Sequence, residues 1–484
     1  MKNIAIITFS ISINLFAQVP IFDFYQTYGI RRTDSSFDFC QTPDQALIIC
    51  GRTANSQNRN VFTLKVDFDG KEIWKKIYDQ GEAYSIKKIN NNNYVVTGIQ
   101  STRFEGDIIY NPYLLKIDMN GDTLWTKIIH RNVDIRTIDC AVTEQNEIYL
   151  LCTYHIAYNP GDAFIIKFDS TGNILWEHLY EKSGDDQCSG LIQINDNLFF
   201  VIGSSHSDKA DRYDYDIQIF MIDENGEQIF LKEIGSEYEE YGYKAIKSID
   251  GNIIISGYVD YGFPHHKKQL IIMKYDINGN PIWSKKYEMF ESYSFVESPI
   301  DSSLFICSIK AGSNIEMMKL NSIGDSLITI THRFYSGYGF DYYEYYLRSG
   351  QLLNLTDYFL VGAEVHPSDP TVTWDSNIFL MKFSYKDLVS VSYKNTDNFP
   401  TSNSIYPNPF NFSTTIGFYL NKPSNTTFEV YNINGMIIEH KSIGHLINGQ
   451  HKYQWHPDQL PSGVYYYRFL TDWSVISGKC TLIK

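Results

Sequence analysis

Apolar and polar residues alternate along most of this chain, and a helical period is hard to find anywhere. Short runs such as Tyr94-Val95-Val96-Thr97-Gly98 and Tyr113-Leu114-Leu115-Lys116-Ile117-Asp118, bounded by Gly, Asn or Asp, predict strands. A ten-residue phrase, Lys65-Val66-Asp67-Phe68-Asp69-Gly70-Lys71-Glu72-Ile73-Trp74, returns at Lys116–Trp125, Lys167–Trp176, Met221–Phe230, Lys274–Trp283 and Lys319–Ile328. Its glycines (Gly70, Gly121, Gly172, Gly226, Gly279, Gly324) lie 51, 51, 54, 53 and 45 residues apart, and an eroded copy starts at Lys382. That period is long for a β-helix rung and suits a four-stranded propeller blade.

Each unit parses into four strands. In the second, Tyr84–Ile89 is the inner strand, Tyr94–Gly98 the second, Tyr113–Asp118 the third and Thr123–Ile129 the outer one. The Asp-x-Asn-Gly phrase is a hairpin turn in which Gly takes the positive φ and Asp bonds back to the backbone. Trp74, Trp125, Trp176 and Trp283 follow at a fixed distance and are expected to dock on a neighbouring sheet. The count is seven blades within residues 18–394, with six or eight as alternatives. Phe22–Gly29 resembles an outer strand without its own blade and could join the ends of the ring; Val389–Tyr393 competes for that place. The phrase resembles that of propellers with tryptophan-docking turns, such as the quinoprotein type. No quinone or metal constellation accompanies it, so no cofactor is expected, and the fold alone names no function.

Export is written at both ends. Met1-Lys2-Asn3 followed by the apolar stretch Ile4–Phe16 and Ala17-Gln18 reads as a secretory signal peptide over residues 1–17. No later run approaches the roughly 20 apolar residues of a membrane helix. With 37 Tyr and 30 Phe the composition favours pleated sheets. A formal charge of -15 argues against nucleic acid or anionic lipid as partner. Residues 395–404 are polar and lack strand patterning, a linker. Beyond them, alternating stretches such as Thr414–Leu420, Thr427–Ile433 and Val464–Leu470, with a hairpin at Asn434-Gly435, predict a small β-sandwich of some seven strands over 405–484.

That last segment resembles the type A C-terminal sorting domain of the type IX secretion system of Bacteroidota. The matching pieces are Tyr406-Pro407-Asn408-Pro409-Phe410, Val430–Gly435, Ser462-Gly463-Val464-Tyr465 and the tail from Lys479 to Lys484. The resemblance implies two partners, the outer-membrane translocation machinery and a sortase-like peptidase that cuts in or near the linker. It also implies a secreted or surface-attached product.

For activity the chain offers acidic and aromatic loops on one propeller face. They include Tyr213 and Tyr215 in Lys209–Asp216, then Tyr238, Glu239, Glu240 and Tyr241, then Tyr342 and Tyr343 in Gly339–Tyr346. Tyr rings can stack on sugars while carboxylates accept from hydroxyls, and the same groups suit protein recognition. The competing reading wedges those rings between blades. Glu239-Glu240 and Asp185-Asp186 are candidate glycosidase pairs by residue type only. Asp67-x-Asp69-Gly70 lacks the ligands of a calcium loop, and no histidine spacing resembles a zinc motif. The seven cysteines read as buried thiols, with Cys40/Cys50 and Cys140/Cys152 as conceivable disulfides. Asp122-Thr123-Leu124 and Asp325-Ser326-Leu327 resemble a Bacteroidota O-glycosylation signal. The expectation is a non-catalytic surface or secreted protein that binds a glycan or protein. A polysaccharide-active enzyme and a structural or adhesion component are the alternatives.

Overall fold

The computed structural model describes residues 21–384 and 404–484, apart from 30–32, 55–57, 157–158, 182–185, 207–214, 263–266, 289–293, 300, 311–313, 334–343, 354–356, 368–373, 421–422, 432–436, 458–459 and 472–474. Every regular element among the described residues is a β-strand. Residues 33–384 make seven antiparallel blades. Blade 1 holds strands Thr33–Gln41, Leu47–Ala54, Arg59–Val66 and Glu72–Gln80, from inner to outer. Blade 2 holds Glu82–Lys88, Asn93–Phe104, Asp107–Asp118 and Thr123–Ile128, close to the bounds the alternation predicts. Its middle hairpin runs on to a tight turn at Glu105-Gly106, whose φ angles of 50 and 100 are those of a two-residue hairpin loop.

Blade 7 has three strands of its own, Glu344–Leu353, Asp357–Pro367 and Trp374–Ser384. Its fourth comes from the other end of the chain. Ile21–Tyr28 pairs antiparallel with Trp374–Ser384, Ile21 opposite Ser384 and Tyr28 opposite Ile378. The expectation for Phe22–Gly29 holds, and the competing Val389–Tyr393 lies outside the described residues. So do the signal peptide and residues 395–403 of the linker.

Blade-to-blade seams are built from the repeated phrase. Each turn glycine adopts the left-handed region (φ 74 to 84), and at Gly226 a Cβ would come 3.1 Å from the Trp176 ring of the preceding blade. Trp74 meets Gly121, Trp125 meets Gly172 and Trp283 meets Gly324 in the same way, and Phe230 substitutes at Gly279. A tyrosine four residues further along the strand, facing the same side, finishes the joint. Tyr78 donates to Gly121 O at 2.8 Å, Tyr180 to Gly226 O at 2.7 Å and Tyr287 to Gly324 O at 2.6 Å. Tyr28 makes the equivalent bond to Gly70, so the first strand closes the last seam with the same chemistry.

The lysine that opens the phrase is buried and pinned. Lys65 meets Asp44 at 2.8 Å, Lys167 meets Glu147 at 2.9 Å, Lys274 meets Asp250 at 2.7 Å and Lys319 meets Asp301 at 3.0 Å. Each acid sits in the turn between the inner and second strands of the lysine's own blade. A buried ammonium needs such a partner. Lys116 has the Ser170 carbonyl at 3.0 Å instead, and burial pushes its pKa down.

All seven cysteines are free thiols, six of them buried. Burial pushes the Cys40 and Cys140 thiols up to about 11.

The C-terminal strands form two sheets. One joins Ser404–Tyr406, Thr414–Leu420 and Gly449–Trp455; the other joins Ile437–Leu446, Ser424–Tyr431, Gly463–Thr471 and Val475–Leu482. Phe418 stacks on Phe469 across the gap, ring centroids 4.1 Å apart, within a core that includes Phe410, Phe428, Trp455 and Tyr465. Three separate sequence motifs meet here. The Asn408 side-chain oxygen accepts from Thr481 N–H at 2.8 Å, and Phe410 exchanges backbone bonds with Thr481 and Ile483. Gly463 pairs with Leu482, Tyr466 with Lys479, and Lys484 N–H donates to Ser462. Tyr406, Pro407, Asn408 and Pro409 remain exposed, with both X–Pro bonds cis, while Phe410 and Tyr465 are buried. Gly435 lies outside the described residues.

Candidate functional site

The inner strands of the blades line a central channel, and six of them carry a β-bulge at the same level. Register shifts fall at Ser36/Asp38, Ala83/Ser85, Thr137/Asp139, Cys188/Gly190, Gly242/Lys244 and Leu347/Ser349. A close approach makes room for the bulge. In blade 2, a Cβ on Gly98 of the second strand would lie 1.8 Å from the Glu82 carbonyl, and Gly51, Gly203 and Gly257 face the same constraint in theirs. Bulges re-aim side chains. Here the extra residues (Phe37, Tyr84, Ile138, Ser189, Tyr243, Arg348) and those just after them line one cavity of about 620 Å³.

Half of that wall is a continuous hydrogen-bonded chain. Ser349 of blade 7 donates to Asp38 of blade 1 at 2.9 Å. Lys87 of blade 2 lies 3.0 Å from Asp38 and 3.6 Å from Asp139 of blade 3. The Ser85 hydroxyl sits 3.1 Å from both carboxylates, and Asp139 accepts from Leu191 N–H of blade 4 at 3.3 Å. Burial pushes Asp38 up, but the Lys87 charge and the hydrogen bonds outweigh it and hold the carboxyl below its usual range. Lys87 is correspondingly raised: Asp38 and Asp139 overcome the cost of its burial.

Blades 4 and 5 differ. At the level of Asp38, Ser85, Asp139 and Ser349 they present Gly190 and Lys244. Burial pushes the Lys244 ammonium below the usual lysine range, with Asp38 and Asp139 offsetting part of the effect. Among the described residues no hydrogen bond or ion pair reaches its Nζ.

The residues expected in loops sit at the seam between blades 4 and 5, but most are not in loops. Tyr215 opens the third strand of blade 4 (Tyr215–Asp223), and Glu239, Glu240 and Tyr241 open the inner strand of blade 5 (Glu239–Lys247), with Tyr238 just before it. Tyr215 and Tyr241 lie ring to ring at 5.0 Å, Tyr241 stacks on Tyr258 at 4.8 Å, and Tyr243 meets Tyr258 at 5.1 Å. Tyr238 packs edge-on against Tyr261 at 4.7 Å. Glu239 accepts from the Tyr241 hydroxyl at 3.1 Å. Glu240 turns inward, 4% exposed and bonded to Ser236; desolvation raises its pKa. Glu239 and Glu240 point apart, as neighbours on a strand do. Tyr213, Tyr342 and Tyr343 lie outside the described residues, as does Asp185. Among the described residues no group of three or more His, Cys, Asp or Glu is placed to hold a metal ion.

Sequence reading missed Asp38, Lys87, Asp139, Lys244 and Arg348. A signal for them does exist: aligning the repeats on the second-strand glycine puts Asp38, Ser85, Gly190 and Lys244 in one column, each with a different side chain.

Comparison with known proteins places the C-terminal sandwich. Residues 404–483 match the secretion system C-terminal sorting domain. The protein therefore carries a type IX secretion signal and is exported across the outer membrane, to the cell surface or beyond. No curated protein matches the chain. Among solved structures, Sqt1 of Chaetomium thermophilum aligns at TM-score 0.42 and 10% identity, over 73% of this chain and 96% of that one. PorZ, described as an essential bacterial surface component of the type-IX secretion system of Porphyromonas gingivalis, aligns at 0.39 and 12%, over 93% of this chain and 59% of that one. The C-terminal WD40 domain of Sif2 aligns at 0.39 and 10%, over 73% and 97%.

Proposed function

We propose that the seven-bladed ring is the working part of the exported product and acts as a non-catalytic binding module, with its ligand seated in the central channel. One observation carries this: six blades bulge at one level and direct unlike side chains into a single cavity of about 620 Å³, a volume typical of small-ligand sites. Phe37, Tyr84 and Tyr243 supply rigid aromatic area, and Ser85, Ser189 and Thr137 supply hydroxyls, a combination suited to a glycan. Tyr215, Tyr238, Glu239 and Tyr241 would flank the seat.

Binding is favoured over hydrolysis by the state of the channel acids. A glycosidase acid needs a raised pKa, whereas Asp38 is held low by Lys87 and its hydrogen bonds. The test is a glycan array and a surface-protein pull-down with the mature chain. Retention without turnover, lost in Tyr84→Ala and Tyr243→Ala, is the expected result. Release of reducing ends would replace this reading with the enzyme. For delivery, deletion of residues 404–484 is expected to trap the product in the periplasm; normal display of that truncation would break the link between tail and export.

A further inference from the structure

Resting on the reading of the channel as the ligand seat, we propose that the ligand is an acidic saccharide whose carboxylate is taken by Lys244. The chain as a whole carries -15, yet the cavity wall holds four cations (Lys87, Arg136, Lys244, Arg348) against two carboxylates (Asp38, Asp139). The channel is a positive spot in a negative protein.

The distribution of partners narrows the choice to one cation. Lys87 is shared by both wall aspartates at 3.0 and 3.6 Å. Arg136 is held by Asp134 at 2.8 Å and lies over the Tyr110 ring at 4.7 Å. Arg348 covers the Phe37 ring at 5.3 Å. The Lys244 ammonium alone of the four cationic groups has no hydrogen bond, ion pair or ring contact among the described residues, although its backbone carbonyl accepts from Ser256 at 3.4 Å. Its neighbour at the same level is Gly190, which contributes no side chain to the cavity. Tyr243, the bulge residue next to it, also lines the cavity and provides a surface against which a sugar ring can lie. Lys244 is half-buried, and Asp38 and Asp139 offset only part of the desolvation of its ammonium. A ligand carboxylate would remove that cost, and Arg and Lys around it would add long-range attraction.

The test pairs acidic glycans on an array, uronate-containing oligosaccharides among them, with the same glycans after reduction of their carboxyl groups. The mature full-length chain and its Lys244→Met and Lys244→Arg variants are applied at matched folded concentration. Acidic members are expected to be retained, their reduced forms lost, and affinity to fall about 10- to 100-fold in Lys244→Met with recovery in Lys244→Arg. The carboxyl-reduced arm needs no variant, so misfolding of Lys244→Met cannot hide the outcome. Equal retention of acidic and reduced members, indifferent to Lys244→Met but lost in Tyr243→Ala, would overturn the carboxylate assignment and leave the channel as the seat. Retention of no glycan, or retention indifferent to both Tyr84→Ala and Tyr243→Ala, would overturn the seat itself. Capture of a peptide carboxylate in place of any sugar would also overturn the saccharide.

Discussion

At the outer seams Trp74, Trp125, Trp176 and Trp283 meet the turn glycine of the next blade in one repeated geometry. At the inner wall the equivalent level reads Asp38, Ser85, Asp139, Gly190, Lys244 and Ser349, four residue types over six blades. Both regions sit on the same backbone repeat, so geometry does not separate them. The seam has one physical task, closing sheet on sheet, and one solution, an aromatic ring on the next blade's turn glycine, serves five of the seams. On the proposed reading the wall forms a single asymmetric site, to which the blades contribute different parts. Uniform columns of a repeat mark scaffold, and divergent columns at a fixed geometry mark the site.

Substitutions can break that division. Gly226→Val is expected to have the largest effect on folding. It forces a β-branched residue to φ +84 and drives its Cβ into the Trp176 ring. A loss of about 2–4 kcal/mol in denaturant titration is expected, with ligand retention per folded molecule unchanged. A neutral outcome would remove the seam as the source of rigidity.

Lys87→Met tests the wall. It leaves Asp38 and Asp139 without their shared cation, at a cost of about 1–3 kcal/mol near pH 7. Asp38 has a depressed folded pKa, so its contribution is present above its unfolded value of about 3.9 and is lost as pH falls through the folded one. Lys87 has a raised folded pKa, so its own contribution is fully present below about 10 and is lost only at alkaline pH. The gap in Tm between wild type and variant is therefore expected to be widest above pH 5 and to narrow towards pH 3. A gap constant across that range would mean the lysine acts by packing alone.

Tyr180→Phe removes one seam bond, the 2.7 Å donation to Gly226. About 1 kcal/mol is expected, again without effect on binding. Smallest of all, Tyr238→Ala is expected to leave Tm and channel binding unchanged, because that ring packs only at the margin of the seat. Loss of retention in this variant alone would move the site from the wall back to the loops.

How far the chain could be read in advance follows from the same division. Seven units, the docking tryptophans and the closing role of Phe22–Gly29 are legible because each is either repeated or local. The sandwich is legible because its motifs are contiguous strings, although their meeting through Asn408 and Thr481 is not. Lys87 and Lys244 were overlooked for a physical reason. A bulge is a backbone event, and its trace in sequence is a glycine on the neighbouring strand in five of the six blades, with Cys152 in the other. The side chains it presents come from positions about fifty residues apart with no shared identity. The lysine opening the repeated phrase was seen as pattern only; its buried pairing with Asp44, Glu147, Asp250 or Asp301 depends on a turn in the same blade.

Ile21–Tyr28 lies beside Trp374–Ser384, some 350 residues away in sequence. The ring therefore closes only when both of its ends are present. Until the final strands are synthesised the first one has nowhere to sit, and the last blade would present a bare edge inviting foreign strands. Contacts this remote make assembly slow, which suits a chain that must stay unfinished while it crosses a first membrane. The clasp also lies wholly upstream of residues 395–404, so severing the chain there would release the tail and leave the buckle fastened.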